Sequence, residues 1–454
     1  MNILSLRLAA IRLNHRVADV AQICNLLYRG FATRVLSQPP CGPEGSRVLP
    51  IANRRYGRVQ LCATRVAVPS LCAALVVLVA AGVNAADPLV TGDFRWTSSE
   101  PVQSPVKRTN DPCYSVKDPS IVRFGGRWHL FTTIRSVRST HQIEYCSFAD
   151  WPEANAAARH ILSGQLASPP FYPPTKPSTN TRSRQLRNVE VRTIVTDLDF
   201  DQTAEGNAKA LARSLPITNS YYCAPQVFWF EPHAKWYMLY QVTDKSQKVS
   251  LQPAVSTSTN IADPRAWTLP EYLYFSHPTN VESWIDFWVI CDDTRAHLFF
   301  TSNNGKFWRA ETKLADFPFG WSQPEVVLRG DIFEASCTYR LKGRNQFLTL
   351  IEAIGEKGRR YYKAYLADKL DGEWKPLAAT AEKPFASARN VEFDNAAWSE
   401  SSSHGELLRS GIDQRMEVDP DNLIFLYQGV SDVRRGGKPY GQIPWQLGLL
   451  RPAR

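Results

Sequence analysis

From about residue 93 onward the chain alternates short apolar runs with turn residues, and it carries almost no 3.6-residue periodicity. Ser120 to Phe124 leads through Gly125-Gly126 into Trp128 to Thr133, a pattern that predicts a hairpin with a two-glycine turn. The format recurs in Gln226 to Phe230, a turn at Glu231-Pro232, and Lys235 to Tyr240. It recurs again in Trp288 to Cys291, Asp292-Asp293 and His297 to Thr301, and in Ser336 to Tyr339, Lys342-Gly343 and Phe347 to Ile351. A fifth, less regular unit lies around Leu423 to Gln428. Repeated antiparallel hairpins separated by insertions of unequal length predict an all-β fold, a β-propeller whose blades are small radial sheets. One short helix is predicted over residues 151–161. Residues 168–219, Pro-rich and then Arg-rich, read as an irregular insertion.

Charge and hydropathy separate the N-terminal part from the rest. Val66 to Val83 is a nearly continuous apolar run after Arg65, followed by the small-residue exit Val83-Asn84-Ala85. That order predicts a signal peptide over 63–85, cleaved after Ala85, and hence a secreted or periplasmic protein. A single membrane anchor is the competing reading. The immediate Asp87-Pro88 favours cleavage and no stable membrane association. Residues 1–62 then read as an upstream extension, and 93–454 as the catalytic domain. Of the net +10, most sits in residues 1–65, which hold ten Arg against Asp19 and Glu44. The remainder is nearly balanced, without the basic stripe of a nucleic-acid binder. Aromatic residues make up 11% of the chain, which suits strands and also surfaces that stack on sugar rings. Cys113, Cys146, Cys223, Cys291 and Cys337 follow the predicted cleavage point with no CxxC pair, so a zinc ribbon is not indicated. Their odd number leaves at least one thiol free or bonded to another molecule.

Three acids stand in apolar settings just ahead of predicted first strands: Asp118 before Ser120, Asp286 before Trp288 and Glu334 before Ser336. Taken singly, each reads most simply as a turn cap or an ion-pair partner. In a propeller the first strands converge on the axis, so acids at corresponding places in different blades meet in one central pocket. Glycoside cleavage uses two carboxyls flanking the scissile bond, one protonated and one ionised, and the inverting form leaves room for a water. A third acid can raise the proton donor's pKa by like-charge repulsion.

The segments Val116-Lys117-Asp118-Pro119-Ser120, Trp284-Ile285-Asp286-Phe287-Trp288, Asp331-Ile332-Phe333-Glu334-Ala335-Ser336, Ser403-His404-Gly405-Glu406 and Ile443-Pro444-Trp445-Gln446-Leu447-Gly448-Leu449-Leu450 together resemble glycoside hydrolase family 62. The resemblance runs from about Asp93 to Leu450 apart from the insertion. It implies a five-bladed β-propeller and an inverting α-L-arabinofuranosidase that releases arabinose side groups from arabinoxylan, acting as a monomer. By matching motifs, Asp118 would be the general base, Glu334 the general acid and Asp286 the residue that tunes the acid, with Lys117 holding the arabinose. His404, on its own a turn histidine, would by the same resemblance ligate a structural calcium ion. Tyr440 would lie near the xylan chain, where the family pattern has Asn in place of Gly441. Arg409 and Asp413-Gln414 are candidates for the pocket lining, with surface salt bridges as the plain alternative. Trp284 and Trp288 are candidates for sugar stacking, with packing between blades as the alternative. A related propeller glycosidase, β-xylosidase or endo-arabinanase, and a non-catalytic carbohydrate-binding propeller are the competing functions.

Overall fold

The computed structural model describes residues 87–137, 141–162, 221–245 and 247–453. The predicted extension, signal peptide and insertion lie outside the described residues. The described residues form five sheets, three of four strands and two of five. Blade 1 comprises Cys113–Phe124, Arg127–Ser136, His141–Phe148 and His160–Ile161; blade 2 comprises Tyr222–Phe230, Lys235–Thr243, Leu251–Ser258 and Glu271–Tyr272. Blade 3 comprises Ile285–Cys291, Arg295–Ser302, Lys306–Lys313 and Glu325–Arg329. Blade 4 takes Cys337–Leu341, Phe347–Ile354, Arg360–Ala367 and Lys375–Ala378, with Glu417–Val418 added parallel to its first strand. Blade 5 is built from both ends of the described chain. Ser403–Leu407, Phe425–Gly429 and Gln446–Pro452 are joined by Trp96–Ser98, antiparallel to the last of these, and by Val391–Phe393.

All four regular hairpins form at the predicted turns, each by its own local chemistry. Gly125 and Gly126 both adopt positive φ, 57° and 77°, as a turn matched to the strand twist requires. Asp292 instead folds its turn by accepting the N–H groups of Thr294 (2.7 Å) and Arg295 (2.8 Å). The helix expected over 151–161 is not there. Trp151–Glu153 makes one 3-10 turn, and His160–Ile161 is an edge strand paired with Glu144 and Tyr145. Trp151 packs on Trp128 and Phe148, and the Arg159 guanidinium takes the carbonyls of Ala154, Asn155 and Ala157 that a helix would have used internally. Tertiary contacts override local helical preference here.

First strands such as Tyr222–Phe230 are buried on both faces, because other blades flank them, and so read as continuous apolar runs. The first strands of blades 1 to 3 share one irregularity, a bulge in which two residues oppose one across the ladder. Blade 4 repeats it just before its first strand, where Glu334 pairs with Glu352 while Cys337 pairs with Leu350. At each bulge one residue takes positive φ: Asp118 46°, Ala224 52°, Asp286 56° and Ala335 54°.

These bulges hold the blades together. The N–H of Ala224 bonds Thr133 Oγ1 of blade 1 (2.8 Å), that of Asp286 bonds Gln241 Oε1 of blade 2 (3.0 Å), and that of His404 bonds Glu352 Oε2 of blade 4 (2.8 Å). The N–H of Asp118 closes the ring on Gln428 Oε1 of blade 5 (2.8 Å). Between blades 3 and 4, Thr301 stands in the corresponding place with its hydroxyl unpartnered, and the Asp286 carboxylate itself accepts the N–H of Ala335 (2.9 Å). A second ring lies further along the first strands. Ser120 accepts from Val227, Gln226 from Val289, Tyr339 from Leu407 and Glu406 from Ile121, while Trp288 donates to the Thr338 carbonyl. Each such bond satisfies a buried backbone amide, which is costly to leave bare.

Candidate active site

The left-handed bulge residue turns its side chain toward the axis. Asp tolerates positive φ better than most residues, which suits Asp118 and Asp286 to that place. Glu334 does not occupy the corresponding position, as the even spacing of the motifs suggested. In blade 4 the left-handed residue is Ala335, so Glu334 sits one residue earlier, in the slot held by Lys117 in blade 1 and Cys223 in blade 2. Successive strand residues face opposite ways, so Glu334 enters the site in a different direction from the two aspartates.

The structure brings Lys117, Asp118, Asp286, Glu334, His404 and Tyr440 together. Lys117 Nζ lies 3.0 Å from Asp118 Oδ2, and His404 Nδ1 lies 3.2 Å from Asp118 Oδ1 and 3.7 Å from Asp286 Oδ2. The Tyr440 hydroxyl donates to Glu334 Oε1 (3.0 Å), and Lys117 Nζ stands 5.4 Å from the centre of the Tyr440 ring. Asp118, Asp286 and Glu334 are 2%, 6% and 4% exposed, so water does little to screen them from one another.

Burial alone would raise the Asp118 carboxyl, but the Lys117 ammonium, then His404 and the Thr133 hydroxyl, outweigh it and hold Asp118 below the ordinary carboxylate range. Glu334 moves the other way. Burial raises it first and the nearby Asp286 charge second, against smaller opposing effects of Arg360, Lys117 and the Tyr440 hydroxyl. Asp286 is raised by burial and by Asp118, and so forms a tightly coupled pair with Glu334. The N–H of Ala335 on Asp286 Oδ2 favours the anion on Asp286 as the Tyr440 hydroxyl does on Glu334, so burial and mutual repulsion push both members of the pair toward the protonated form. The site thus sets a carboxyl held toward the ionised form, Asp118, beside a coupled pair, Asp286 and Glu334, pushed toward the protonated form. Its environment separates acid from base.

Other candidates lie elsewhere. Trp284 is 1% exposed, donates its indole N–H to the Leu251 carbonyl and packs on His277, Phe287 and Phe300 between blades 2 and 3. It has no free face for a sugar. Trp288 likewise packs on Tyr339. Arg409 is not in the pocket. It lies along the axis beyond the bulges, with Nη2 on the carbonyls of Ile121 (2.9 Å) and Val227 (2.7 Å) and Nε 2.7 Å from Glu406 Oε1, and so ties blades 1, 2 and 5. Asp413 and Gln414 are further still from the acids, bridging to Trp229, Glu231 and Cys291 at the hairpin ends of blades 2 and 3.

Two residues join the site that the sequence reading did not single out. Glu352, fully buried, accepts the His404 N–H and the Ser403 hydroxyl (3.0 Å) and stands 3.5 Å from Arg360 Nε. Its signal was present: a lone acid inside Phe347 to Ile354. Arg360 lies over the Phe333 ring at 3.9 Å and the Tyr440 ring at 5.6 Å. The five described cysteines are all buried free thiols.

Comparison with known proteins agrees with this geometry. Residues 189–451 match the model of glycosyl hydrolase family 62. Alpha-L-arabinofuranosidase C of Cellvibrio japonicus (strain Ueda107) is 34% identical over 365 residues, covering 79% of this chain; the chain spans about half of that relative, 47% of its length. Among solved structures, the catalytic domain of a family-62 α-L-arabinofuranosidase from Coprinopsis cinerea shares 33% identity over 80% of this chain and 98% of its own, with a TM-score of 0.64. An α-L-arabinofuranosidase from Podospora anserina, solved with cellotriose, gives 31% over the same shares and 0.64, and a family-62 hydrolase solved with xylotriose gives 32% and 0.63. With its five blades, its buried carboxylates on the axis and these likenesses across nearly the whole of the related catalytic domains, the chain belongs to glycosyl hydrolase family 62.

Proposed function

We propose that this protein is an inverting α-L-arabinofuranosidase that removes arabinose side groups from arabinoxylan. The carrying observation is that two buried carboxyls are pushed opposite ways, Asp118 toward the ionised form by Lys117 and Glu334 toward the protonated form by burial and Asp286. In the reaction Glu334 gives its proton to the departing xylose oxygen while Asp118 takes a proton from the water that attacks the opposite face of the arabinose. Asp286 stays ionised and helps keep the proton on Glu334. Lys117 holds Asp118 ionised and donates toward the sugar. A binding protein has no need of a protonated carboxyl beside an ionised one, which speaks against the non-catalytic alternative. The relatives' names and the xylotriose complex support the substrate class. The same reading has the protein exported by residues 63–85 and acting as a monomer.

A calcium ion at His404 belongs to the proposal as a structural element only. His404 lines an axial pocket whose wall also holds Asp286 and the buried, unpartnered Ser336 hydroxyl. Among the described residues no group of three or more His, Cys, Asp or Glu is arranged around a metal. One imidazole therefore fits only a cation that keeps most of its shell as water, and no step of the reaction runs through it.

The test is arabinose release from wheat arabinoxylan followed by proton NMR, beside Glu334→Gln. Arabinose appearing first as the β-anomer, and lost by a thousandfold or more in the variant, supports the reading. First appearance of the α-anomer excludes inversion, and retention on xylan without release turns the protein into a carbohydrate binder.

A further inference from the structure

Two neighbouring strands of blade 5, Phe425–Gly429 and Gln446–Pro452, are joined by a strap, residues 430–445, that reaches blade 4 and brings Tyr440 to Glu334. Blade 4 grips this strap with two successive arginines. Arg359 donates Nε (3.0 Å) and Nη2 (2.7 Å) to Asp432 Oδ2 near the start of the strap, and Arg435 returns two bonds to the carbonyls of Lys357 and Gly358. Successive residues of extended backbone face opposite ways, so Arg360 turns inward where Arg359 turns out.

Arg360 makes no comparable ion pair. Its Nε stands 3.5 Å from Glu352 Oε1, longer than a charge-assisted hydrogen bond, and its buried Nη1 has no hydrogen-bond partner. Its flat face meets aromatic rings instead, 3.9 Å from the centre of Phe333 and 5.6 Å from that of Tyr440. The Arg360 backbone is fixed, its N–H on Ser401 Oγ and its carbonyl accepting the N–H of Ser402. Phe333 directly precedes Glu334. Its N–H is held by the Glu352 carbonyl (2.9 Å), and the Glu352 N–H holds the Glu334 carbonyl (3.0 Å). The backbone of the acid is therefore anchored within blade 4, whereas its hydroxyl partner arrives from outside on a half-exposed ring. Lys117 and Trp445 also approach that ring, but only Arg360 lies on both Tyr440 and the residue next to the acid. A planar guanidinium can register two rings in this way, and an ammonium cannot.

We propose that Arg360 is a positioning residue for the proton donor: fixed beside Glu352 and lying on Phe333 and Tyr440, its guanidinium holds the Tyr440 hydroxyl on Glu334. The assignment rests on the arabinofuranosidase reading. The charged and titratable groups around Glu334 are Lys117 from blade 1, Asp286 from blade 3, Glu352 and Arg360 from blade 4, and Tyr440 from the strap. Arg360→Lys keeps that set of charges and removes only the plane.

The experiment follows arabinose release from arabinoxylan against pH for the wild type, Arg360→Lys, Tyr440→Phe and the double variant, with thermal unfolding of each. Arg360→Lys is expected to lower kcat about five- to tenfold with KM within about twofold, and to move the alkaline limb of kcat/KM upward, as loss of the Tyr440 hydrogen bond does. The double variant is expected to stay within about twofold of Tyr440→Phe alone, because both changes remove one interaction. Wild-type kcat and pH profile in Arg360→Lys overturn the proposal, since the cation then acts by charge alone. Losses that multiply in the double variant overturn it as well, since the arginine then acts apart from Tyr440. If Arg360→Lys does not fold, Phe333→Leu, which removes the ring under the guanidinium and leaves every charge, takes its place with the same expectations. If the wild type releases no arabinose, the function proposed above fails, and fluorine NMR of protein labelled with 3-fluorotyrosine then decides the positioning alone. The Tyr440 line, identified by its loss in Tyr440→Phe, shifts or broadens in Arg360→Lys if the guanidinium holds the ring; an unchanged line removes the proposal.

Discussion

Tyr440→Phe isolates one hydrogen bond at Glu334, the proposed proton donor. The hydroxyl donates to Glu334 Oε1 at 3.0 Å and therefore favours the ionised form of an acid that burial and Asp286 push toward the protonated form. A hydrogen bond to a charged group contributes about 1.5–3 kcal/mol. Because Tyr440 is 40% exposed, solvent screens part of that, and the lower end, about 1.4 kcal/mol or about one pH unit, is the appropriate figure. The sign follows directly: without the hydroxyl Glu334 binds its proton more tightly. The alkaline limb of kcat/KM, where the acid loses that proton, moves up by about one unit. Meanwhile kcat falls about tenfold, since the carboxylate formed on proton transfer loses its donor. The assay is arabinose release from arabinoxylan at each pH from 4 to 10, with thermal unfolding as a check on the fold. An alkaline limb that stays put or moves down, in a variant that unfolds at the wild-type temperature, refutes Glu334 as the proton donor or the Tyr440 bond as its regulator.

The remaining tests separate structure from chemistry. Trp284→Phe, in the packing between blades 2 and 3, is expected to lower stability by about 1–3 kcal/mol while KM stays within about twofold; a KM rise at full stability restores a sugar-stacking role. Glu352→Ala leaves the His404 N–H, the Ser403 hydroxyl and Arg360 without their shared acceptor and is expected to cost about 3–5 kcal/mol by denaturant unfolding, with Glu352→Gln recovering a large part. Equal losses in the two variants exclude the acceptor role. Chelation with EDTA followed by added calcium is expected to lower and then restore the melting temperature in the wild type and not in His404→Ala; indifference of the wild type removes calcium from the proposal.

Much of the architecture was legible because its signals are local. Gly125-Gly126, Asp292 and Gly343 mark turns whatever lies around them, and continuous apolar runs mark strands buried on both faces. The three acids were legible as a group for the same reason, each heading a predicted hairpin. What escaped depends on backbone detail and on neighbours remote in sequence. No spacing rule shows that the left-handed residue of blade 4 is Ala335, so the different approach of Glu334 was invisible. Arg409 was placed in the pocket because it follows His404 closely, yet the strand from Ser403 to Leu407 carries it inward along the axis to the backbone of blades 1 and 2. Trp284 next to an acid looked like a sugar platform, and only the packing of two blades shows both of its faces covered. Residues 151–161 looked helical until Arg159 and the edge of blade 1 claimed their carbonyls.

The substituted link between blades 3 and 4 has a consequence for how this protein tolerates change. Elsewhere around the ring a Thr, Gln or Glu outside the acid triplet caps the neighbouring blade, but here Asp286 does so itself, through Ala335. Active-site carboxylates are commonly a burden on the fold, and their removal commonly raises the melting temperature as it abolishes activity. Asp286 is exempt from that exchange toward shorter side chains. A neutral side chain of the same shape, Asn, can still accept from Ala335, while a shorter one loosens blades 3 and 4, leaving the Trp288–Thr338 bond to join them. Selection on stability therefore opposes every shorter residue at this position, and Asn is the replacement that keeps the clasp while shedding the charge.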